Sequence, residues 1–280
     1  MAHIVLATSL LWPEPTSDAP LRDALAVSDH TSVCVPWNSA DQSAFQSADL
    51  ILLRSCWDYH KAPDAFLAWL DSLAPERVRN PLALVRWNFD KSYLVQLRKA
   101  GFNVPETKLV DPKDHGTLRR IMQKEGWQRA VRKPLSGQSG KFVDVLDLAE
   151  YDAWPDSVMP TKQALLQEFE KDVERLGETL LYFFRGRFEY AVQRLPAPRN
   201  GQSRVEVSVS AKVIEQAREV LAFVGHPPLY ARIDGLVRDD TFLLMELELI
   251  EPSFAFDVAP HKAADFVREI EEDLRQLGHA

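Results

Sequence analysis

Through the first ninety residues, short apolar runs alternate with segments whose apolar positions recur at helical spacing. Residues 4–7 form a continuous apolar run, which predicts a short buried strand; the loop Trp12-Pro13-Glu14-Pro15 and a helix over 21–26 follow. Further strands are predicted over 32–35 and 49–53. The last runs into Arg54-Ser55-Cys56-Trp57-Asp58-Tyr59-His60, after which Phe66, Trp69, Leu70 and Leu73 share one helix face. Strands and helices alternating at this spacing predict a small, mostly parallel sheet. Ligand sites of such sheets lie beyond the carboxyl ends of the strands, where the 54–60 loop sits.

Beyond Asn80-Pro81, Asp90 is placed to cap a helix carrying Tyr93, Leu94 and Leu97 and ending at Gly101. Lys91 then falls in the first turn, where a cation opposes the helix dipole. Either an anion lies nearby or Lys91 is a solvated surface residue. From Val104 a strand, a helix with Leu118, Ile121 and Met122, and a strand over 129–133 predict a compact α+β segment. Hairpins follow: 179–184 with 188–193, turning at Arg185-Gly186-Arg187, and 229–237 with 241–250, turning at Arg238-Asp239-Asp240. Between them lies a helix with Val213, Ile214, Ala217, Val220 and Leu221, stopped at Gly225. A last helix starts at Pro260 and carries Phe266, Val267, Ile270, Leu274 and Leu277.

Composition narrows the class. Apolar residues are 46% and charged residues 26% of 280, an ordinary folded mixture that argues against disorder and coiled coil. The net charge of −8 disfavours nucleic-acid backbones, while leaving room for a local basic cleft that holds a small anion. Cys34 and Cys56 make neither a disulfide framework nor a zinc-site spacing, so a reducing, cytoplasmic setting is expected. The first residues lack the basic cluster of a signal peptide, and no apolar run approaches the roughly 20 residues of a membrane span.

The strand over 242–250 is the strongest chemical signal, because residues two apart share a face and so Glu246 and Glu248 lie side by side. With a three-residue turn, Arg232 lies opposite Glu246, and Asp234 is diagonal to it. Leu243, Met245, Leu247 and Leu249 then form the other face. Arg232, Asp234, Glu246 and Glu248 on one face suit a Mg²⁺ ion that also holds phosphates; the alternative is an exposed hairpin with cross-strand ion pairs. Arg132-Lys133 leads into a loop of small residues in which Gly137 and Gly140 allow backbone N–H groups to approach an anion, unless it is a plain turn. It is not a Walker loop. Gln167-Glu168-Phe169 either presents backbone groups to a purine or links two segments, and Glu178 is either a ribose acceptor or a strand-edge acid. Arg54, Ser55, Trp57 and Asp58 are candidates for the substrate end, with Arg54 as a bidentate fork for a carboxylate; the alternative is a structural loop with Trp57 as a core plug.

Taken in order, Lys91 in "NFDK", Lys133 in "RKPLSGQSG", "QEF" at 167–169, "GETLLYFFRGRFEYAVQRLP" at 177–196, "ARIDG" at 231–235 and "MELELIEPS" at 245–253 resemble the ATP-grasp superfamily. "ELELIEPS" is similar to the Glu-x-Asn-x-x-x-Pro metal segment of prokaryotic glutathione synthetases. The likeness is closer to the D-cycloserine ligase type, which shares "RSCWDYH". The resemblance implies an α/β (α+β) ATP-grasp fold in three parts: an N-terminal parallel-sheet substrate domain (1–88), a central lid domain (89–169) and a C-terminal antiparallel-sheet domain with the metal site (170–280). It further implies an ATP-dependent carboxylate–amine or carboxylate–thiol ligase that works through an acylphosphate and releases ADP and phosphate. ATP and Mg²⁺, with Mn²⁺ as an alternative ion, are the implied cofactors. A small amino-acid-like molecule or a peptide is the implied substrate, with no nucleic-acid or membrane partner and a homodimer by analogy.

By the same resemblance Lys91 and Lys133 hold ATP phosphates, Ser136, Gly137 and Gly140 belong to the lid loop, and Gln167, Glu168 and Phe169 form the adenine hinge. Glu178 binds the nucleotide, Asp234, Glu246 and Glu248 are metal ligands, and Arg194, Arg204 and Arg232 are the catalytic arginines. Two departures stand out. Glu168 replaces a frequent Pro, and Val-Glu-Val-Ser-Val-Ser follows Arg204 where relatives carry a Gly-rich turn, which leaves the acceptor side open. A nucleotide-binding scaffold and an intramolecular, cyclising ligase are the rival readings.

Overall fold

The apolar runs at the start of the chain build the parallel sheet they predict. In the computed structural model, which describes residues 1–137, 142–157, 162–199, 202–225, 227–276 and 278, the strands β1 (His3–Thr8), β2 (Thr31–Pro36), β3 (Leu50–Leu53) and β4 (Val78–Arg79) pair in the order β2-β1-β3-β4, all parallel. The helices α1 (Ala19–Ala26), α2 (Ser43–Ser47) and α3 (Pro63–Ser72) connect them. Both faces of β1 and β3 are buried, which is why their sequences are continuously apolar. Val5, Ala7, Ile51 and Leu53 pack on Phe66, Trp69 and Leu70. Ile4, Leu6, Leu50 and Leu52 face the other way, into a core shared with the C-terminal sheet.

Two helices follow, α4 (Leu82–Phe89) and α5 (Tyr93–Lys99), where the pattern predicts only the second. Asp90 holds the break between them by accepting the Ser92 N–H at 2.7 Å. The next segment has its own small core. Its strands β5 (Thr107–Val110), β6 (Arg129–Pro134), β7 (Asp144–Asp147) and β8 (Ala164–Glu168) pair antiparallel in the order β5-β8-β6-β7. The helix α6 (His115–Glu125), capped by the Asp114 carboxylate and ended by left-handed Gly126, packs Leu118 and Met122 against Trp127, Leu146 and Trp154.

The remaining elements are α7 (Val173–Leu176), β9 (Glu178–Phe184), β10 (Arg187–Arg199), β11 (Gln202–Val207), α8 (Ala211–Phe223), β12 (Tyr230–Arg238), β13 (Thr241–Glu248) and α9 (Lys262–Gln276). The five strands form an antiparallel sheet in the order β11-β10-β9-β12-β13. One face carries Leu181, Phe183 and Ile233 against α8 and α5. The apolar end of the other, with Phe184, Tyr190 and Tyr230, meets Ile4, Leu6, Phe254 and Phe266, joining the parallel sheet and α9 in a single core.

Both hairpins turn in two residues rather than three. Arg185 and Gly186 take positive φ (48° and 75°) so that Arg187 pairs with Phe184, and Arg238 pairs with Thr241 across Asp239 (φ 52°) and Asp240. The segment after Arg204 is strand rather than turn, and α9 begins two residues beyond Pro260.

Candidate active site

A β-bulge sets the faces of the β12–β13 hairpin, where the candidate metal ligands lie. Val237, Leu236 and Gly235 pair with Phe242, Leu243 and Leu244; the register then slips, so that Asp234 pairs with Glu246 and Arg232 with Glu248. This corrects the expected pairing of Arg232 with Glu246. It also corrects the apolar face: Phe242, Leu244, Leu247 and Leu249 enter the core, whereas Leu243 lies on the face of Glu246 and Glu248. Gly235 stands at the slip because a Cβ there would lie 2.3 Å from the Leu243 carbonyl oxygen and 2.5 Å from the Phe242 ring. The four charged residues still share one face.

On that face the carboxylate oxygens of Asp234, Glu246 and Glu248 approach within 4.8 Å of one another. Three hard oxygen donors on adjacent rigid strands fit Mg²⁺ or Mn²⁺, and no nitrogen or sulfur donor competes in this set. Arg232 closes the array: its Nε and Nη2 donate to the two Asp234 oxygens at 2.8 and 2.9 Å, and Nη2 lies 2.6 Å from Glu248. Burial pushes Glu248 up to about 7 despite Arg232, with Asp234 and Glu246 adding to the rise. Burial also opposes ionisation of Glu246, but Lys91 and Lys133 outweigh it and hold that carboxyl below its usual range.

The connection between α4 and α5 is sewn onto β13 by side chains. Asn88 donates to the Leu247 carbonyl and accepts from the Leu249 N–H, both at 2.8 Å, and the Tyr93 hydroxyl donates to the same Leu247 carbonyl at 2.9 Å. Lys91 is thereby placed so that its ammonium pairs with Glu246, while its backbone N–H donates to the Leu135 carbonyl at 2.8 Å. The anion that offsets a cation at this helix start is therefore Glu246. Lys133 comes from the other side, on β6, and donates to Gln167 at 3.0 Å; Gln167 in turn donates to Thr107 at 2.8 Å. Burial lowers Lys133 to about 8, and the neighbouring Lys91 charge adds to the effect. Gly137 lines the same cleft as Lys91, Glu246 and Glu248, and the buried Ser136 hydroxyl has no partner among the described residues. Gly140 lies outside the described residues.

Around this centre, the Glu168 N–H donates to the Glu106 carbonyl, and the Phe169 ring lies 3.8 Å beneath the Arg129 guanidinium. Glu178 and Arg194 pair across β9 and β10 at 2.5 Å; burial raises the Glu178 carboxyl, with Arg194 opposing. Arg204 lies across from Arg194 in the register and pairs with Asp257 at 2.7 Å.

The expected substrate loop is different. Arg54 is completely buried and its fork already grips Asp18, at 2.8 and 3.2 Å, with a third bond to the Pro252 carbonyl and Phe254 stacked below. Its carboxylate partner is internal, which corrects the expectation of substrate recognition. Ser55 donates to the Trp12 carbonyl, and Asp58 accepts from Trp37 and Asn38. Trp57 stays partly exposed, donates to the Glu251 carbonyl at 3.2 Å and meets Trp12 edge to face. Glu251, which the sequence reading did not single out, lines the cleft beside Glu248, and burial raises its carboxyl well above the usual range, with Glu248 adding to the rise. It stands in the quoted "ELELIEPS", as Tyr59 and Phe89, also in the cleft wall, stand in the quoted "RSCWDYH" and "NFDK".

An antiparallel sheet bearing carboxylates, a separate four-stranded sheet bearing a lysine, and a parallel sheet docked against the first constitute the ATP-grasp fold. In fold the chain is similar to the ATP-grasp ligases. Residues 4–80 match the model of the N-terminal domain of D-cycloserine synthetase DcsG. Over 284 aligned residues the chain is 28% identical to the cycloserine biosynthesis protein DcsG of Streptomyces lavendulae, covering 91% of this chain and 93% of that protein. The crystal structure of D-cycloserine synthetase DcsG superposes with a TM-score of 0.86 at 23% identity, over 97% of this chain and 99% of that one. D-alanine–D-alanine ligase from Bacillus anthracis, solved with ATP, gives a TM-score of 0.70 at 15% identity, over 100% of this chain and 99% of that one. The ATP-grasp ligase PsnB, solved with a phosphomimetic precursor, Mg and ADP, gives 0.65 at 16% identity, over 95% of this chain and 98% of that one. Among the described residues, no helix is long and apolar enough to cross a membrane.

Proposed function

We propose that the protein joins a small amino-acid-like carboxylate to an amine at the expense of ATP. The observation that carries this reading is the convergence of Asp234, Glu246 and Glu248, the last two lining one cleft with Lys91 and Gly137, faced by Lys133 from the lid sheet. Lys91 and Lys133 would offset the charge of the ATP phosphates, and Arg232 would stabilise the transferring phosphoryl group. A bound Mg²⁺ would supply further charge neutralisation at the phosphates. The substrate carboxylate oxygen attacks the γ-phosphorus and the bond to ADP breaks, giving an acylphosphate. The amine then attacks the acyl carbon, phosphate leaves with the bonding pair, and the nitrogen loses a proton. Positioning and electrostatics suffice, so no protein nucleophile is needed.

The test is ADP release over a panel of small amino acids, D-alanine included, with hydroxylamine present to trap an acylphosphate as a hydroxamate. Acid-dependent ADP release with hydroxamate formation supports the reading; ADP release without an acid requirement contradicts it. The match to the cycloserine biosynthesis protein favours one particular form, ring closure within a single substrate. Mass spectrometry separates the two, because ring closure gives a product one water lighter than its substrate, whereas intermolecular ligation joins two molecules.

A further inference from the structure

One buried polar atom on the face of Asp234, Glu246 and Glu248 has no partner among the described residues, and it belongs to the neighbour of the residue that obstructs the metal. Arg232 occupies both Asp234 oxygens and one Glu248 oxygen, and its Nη1 donates to the Ser253 carbonyl at 3.2 Å. A divalent ion on Asp234, Glu246 and Glu248 would share those carboxylates with Arg232, and its charge repels a guanidinium pressed against the same oxygens. Arg232 therefore has to give way when the ion binds. Its released N–H groups then require another acceptor, since a buried donor left unpaired is costly.

Tyr182 can supply one. It is the cross-strand partner of Arg232 on β9, so the two side chains leave the same face of the sheet next to each other. The residue is completely buried, and its hydroxyl has no hydrogen-bond partner among the described residues. The ring is held in place: it stacks on Tyr190 with centroids 4.3 Å apart and planes within 5°, and the Tyr190 hydroxyl is bonded to the Phe254 carbonyl. A rigid ring with an unused oxygen, beside a guanidinium that the ion would push from its carboxylates, offers a receiving site.

We infer that Tyr182 is a positioning residue for Arg232. Its phenol oxygen accepts the guanidinium when a divalent cation takes Asp234 and Glu248, and so keeps Arg232 at the rim of the phosphate site. This rests on the metal assignment and ligase reading above. The test is calorimetric titration of Mg²⁺ into the full chain at saturating ADP, for wild type and Tyr182→Phe. Without metal the variant should unfold at or above the wild-type temperature, because only an unsatisfied hydroxyl is lost. Its Mg²⁺ affinity should fall about tenfold, the loss of one hydrogen bond to a charged group, while its affinity for ADP alone is unchanged. Equal Mg²⁺ affinity in the two proteins, or a variant less stable without metal, overturns the inference. A crystal structure of the wild-type chain with Mg²⁺ and ADP decides without a variant. Arg232 should then lie within hydrogen-bond distance of Tyr182, and a fork retained on Asp234 beside the bound ion would overturn the inference. Failure of the wild type to bind Mg²⁺ at all removes the metal assignment itself, and this inference with it.

Discussion

The charge of Lys133 is finely balanced. Burial and the nearby Lys91 bring it down to about 8, below the ordinary lysine value of 10.5. Between pH 8 and 10.5 the unfolded chain therefore binds more protons at this site than the folded one, so this site's contribution to stability rises with pH across that window. Below pH 8 the folded protein carries the cost of a buried ammonium, and a polyphosphate that pairs with it relieves that cost. Nucleotide affinity should accordingly weaken as pH rises through about 8. Titrations at pH 9 in buffers of different ionisation heat should show uptake of up to about one proton per nucleotide; no buffer dependence would remove Lys133 from the phosphate site. Arg54 is predicted to act on stability instead. Arg54→Met leaves Asp18 buried without its partner, at a cost of about 3–5 kcal/mol, measurable by denaturant unfolding. Unchanged stability with a raised KM for the acid substrate would return Arg54 to substrate recognition.

Among elements, the β12–β13 hairpin shows where sequence legibility ends. Alternation along 242–250 predicts a strand with Glu246 and Glu248 on one face, and that much is visible in the residues. The slip at Gly235 is not, because it arises from the approach of the Leu243 carbonyl and Phe242 ring to a position with no Cβ. A glycine in a strand signals some bulge or close contact but does not say which pair slips. Arg54 fails for a related reason: an arginine at a strand end looks alike whether its carboxylate is a ligand's or Asp18, 36 residues earlier in the chain. Lys91 was legible only in part: its unfavourable helix position fitted either a nearby anion or a solvated surface lysine, and the pairing with Glu246 decides for the anion. Gly235→Ala should force the bulge apart, costing at least about 2 kcal/mol and lowering Mg²⁺ affinity together with stability. A variant of wild-type stability that binds Mg²⁺ normally would show that the hairpin tolerates the regular register.

At the scale of the whole molecule, the parallel sheet and the C-terminal sheet share one core, through Ile4, Leu6, Tyr182, Tyr230, Phe254 and Phe266, whereas the central four-stranded sheet has a smaller core of its own. Arg79 with Asp273 and Asn80 with Tyr230 and Leu249 add polar ties across the same junction. Residues 1–88 alone would expose one whole face of β1 and β3, so this fragment should show little fixed structure by near-ultraviolet circular dichroism. A cooperatively folding fragment would contradict the shared core. Cys34 and Cys56 remain free thiols, consistent with packing roles in this half.

The account turns on a nucleotide site completed by a divalent ion, and calorimetric titration with a non-hydrolysable ATP analogue, with and without Mg²⁺, addresses it directly. Wild-type protein should bind the analogue more tightly when Mg²⁺ is present. Glu246→Ala should lose most of that Mg²⁺-dependent gain while keeping its fold, because the apolar face of β13 is untouched. Mg²⁺-dependent binding that survives in Glu246→Ala, or no binding to the wild type under either condition, would contradict the account.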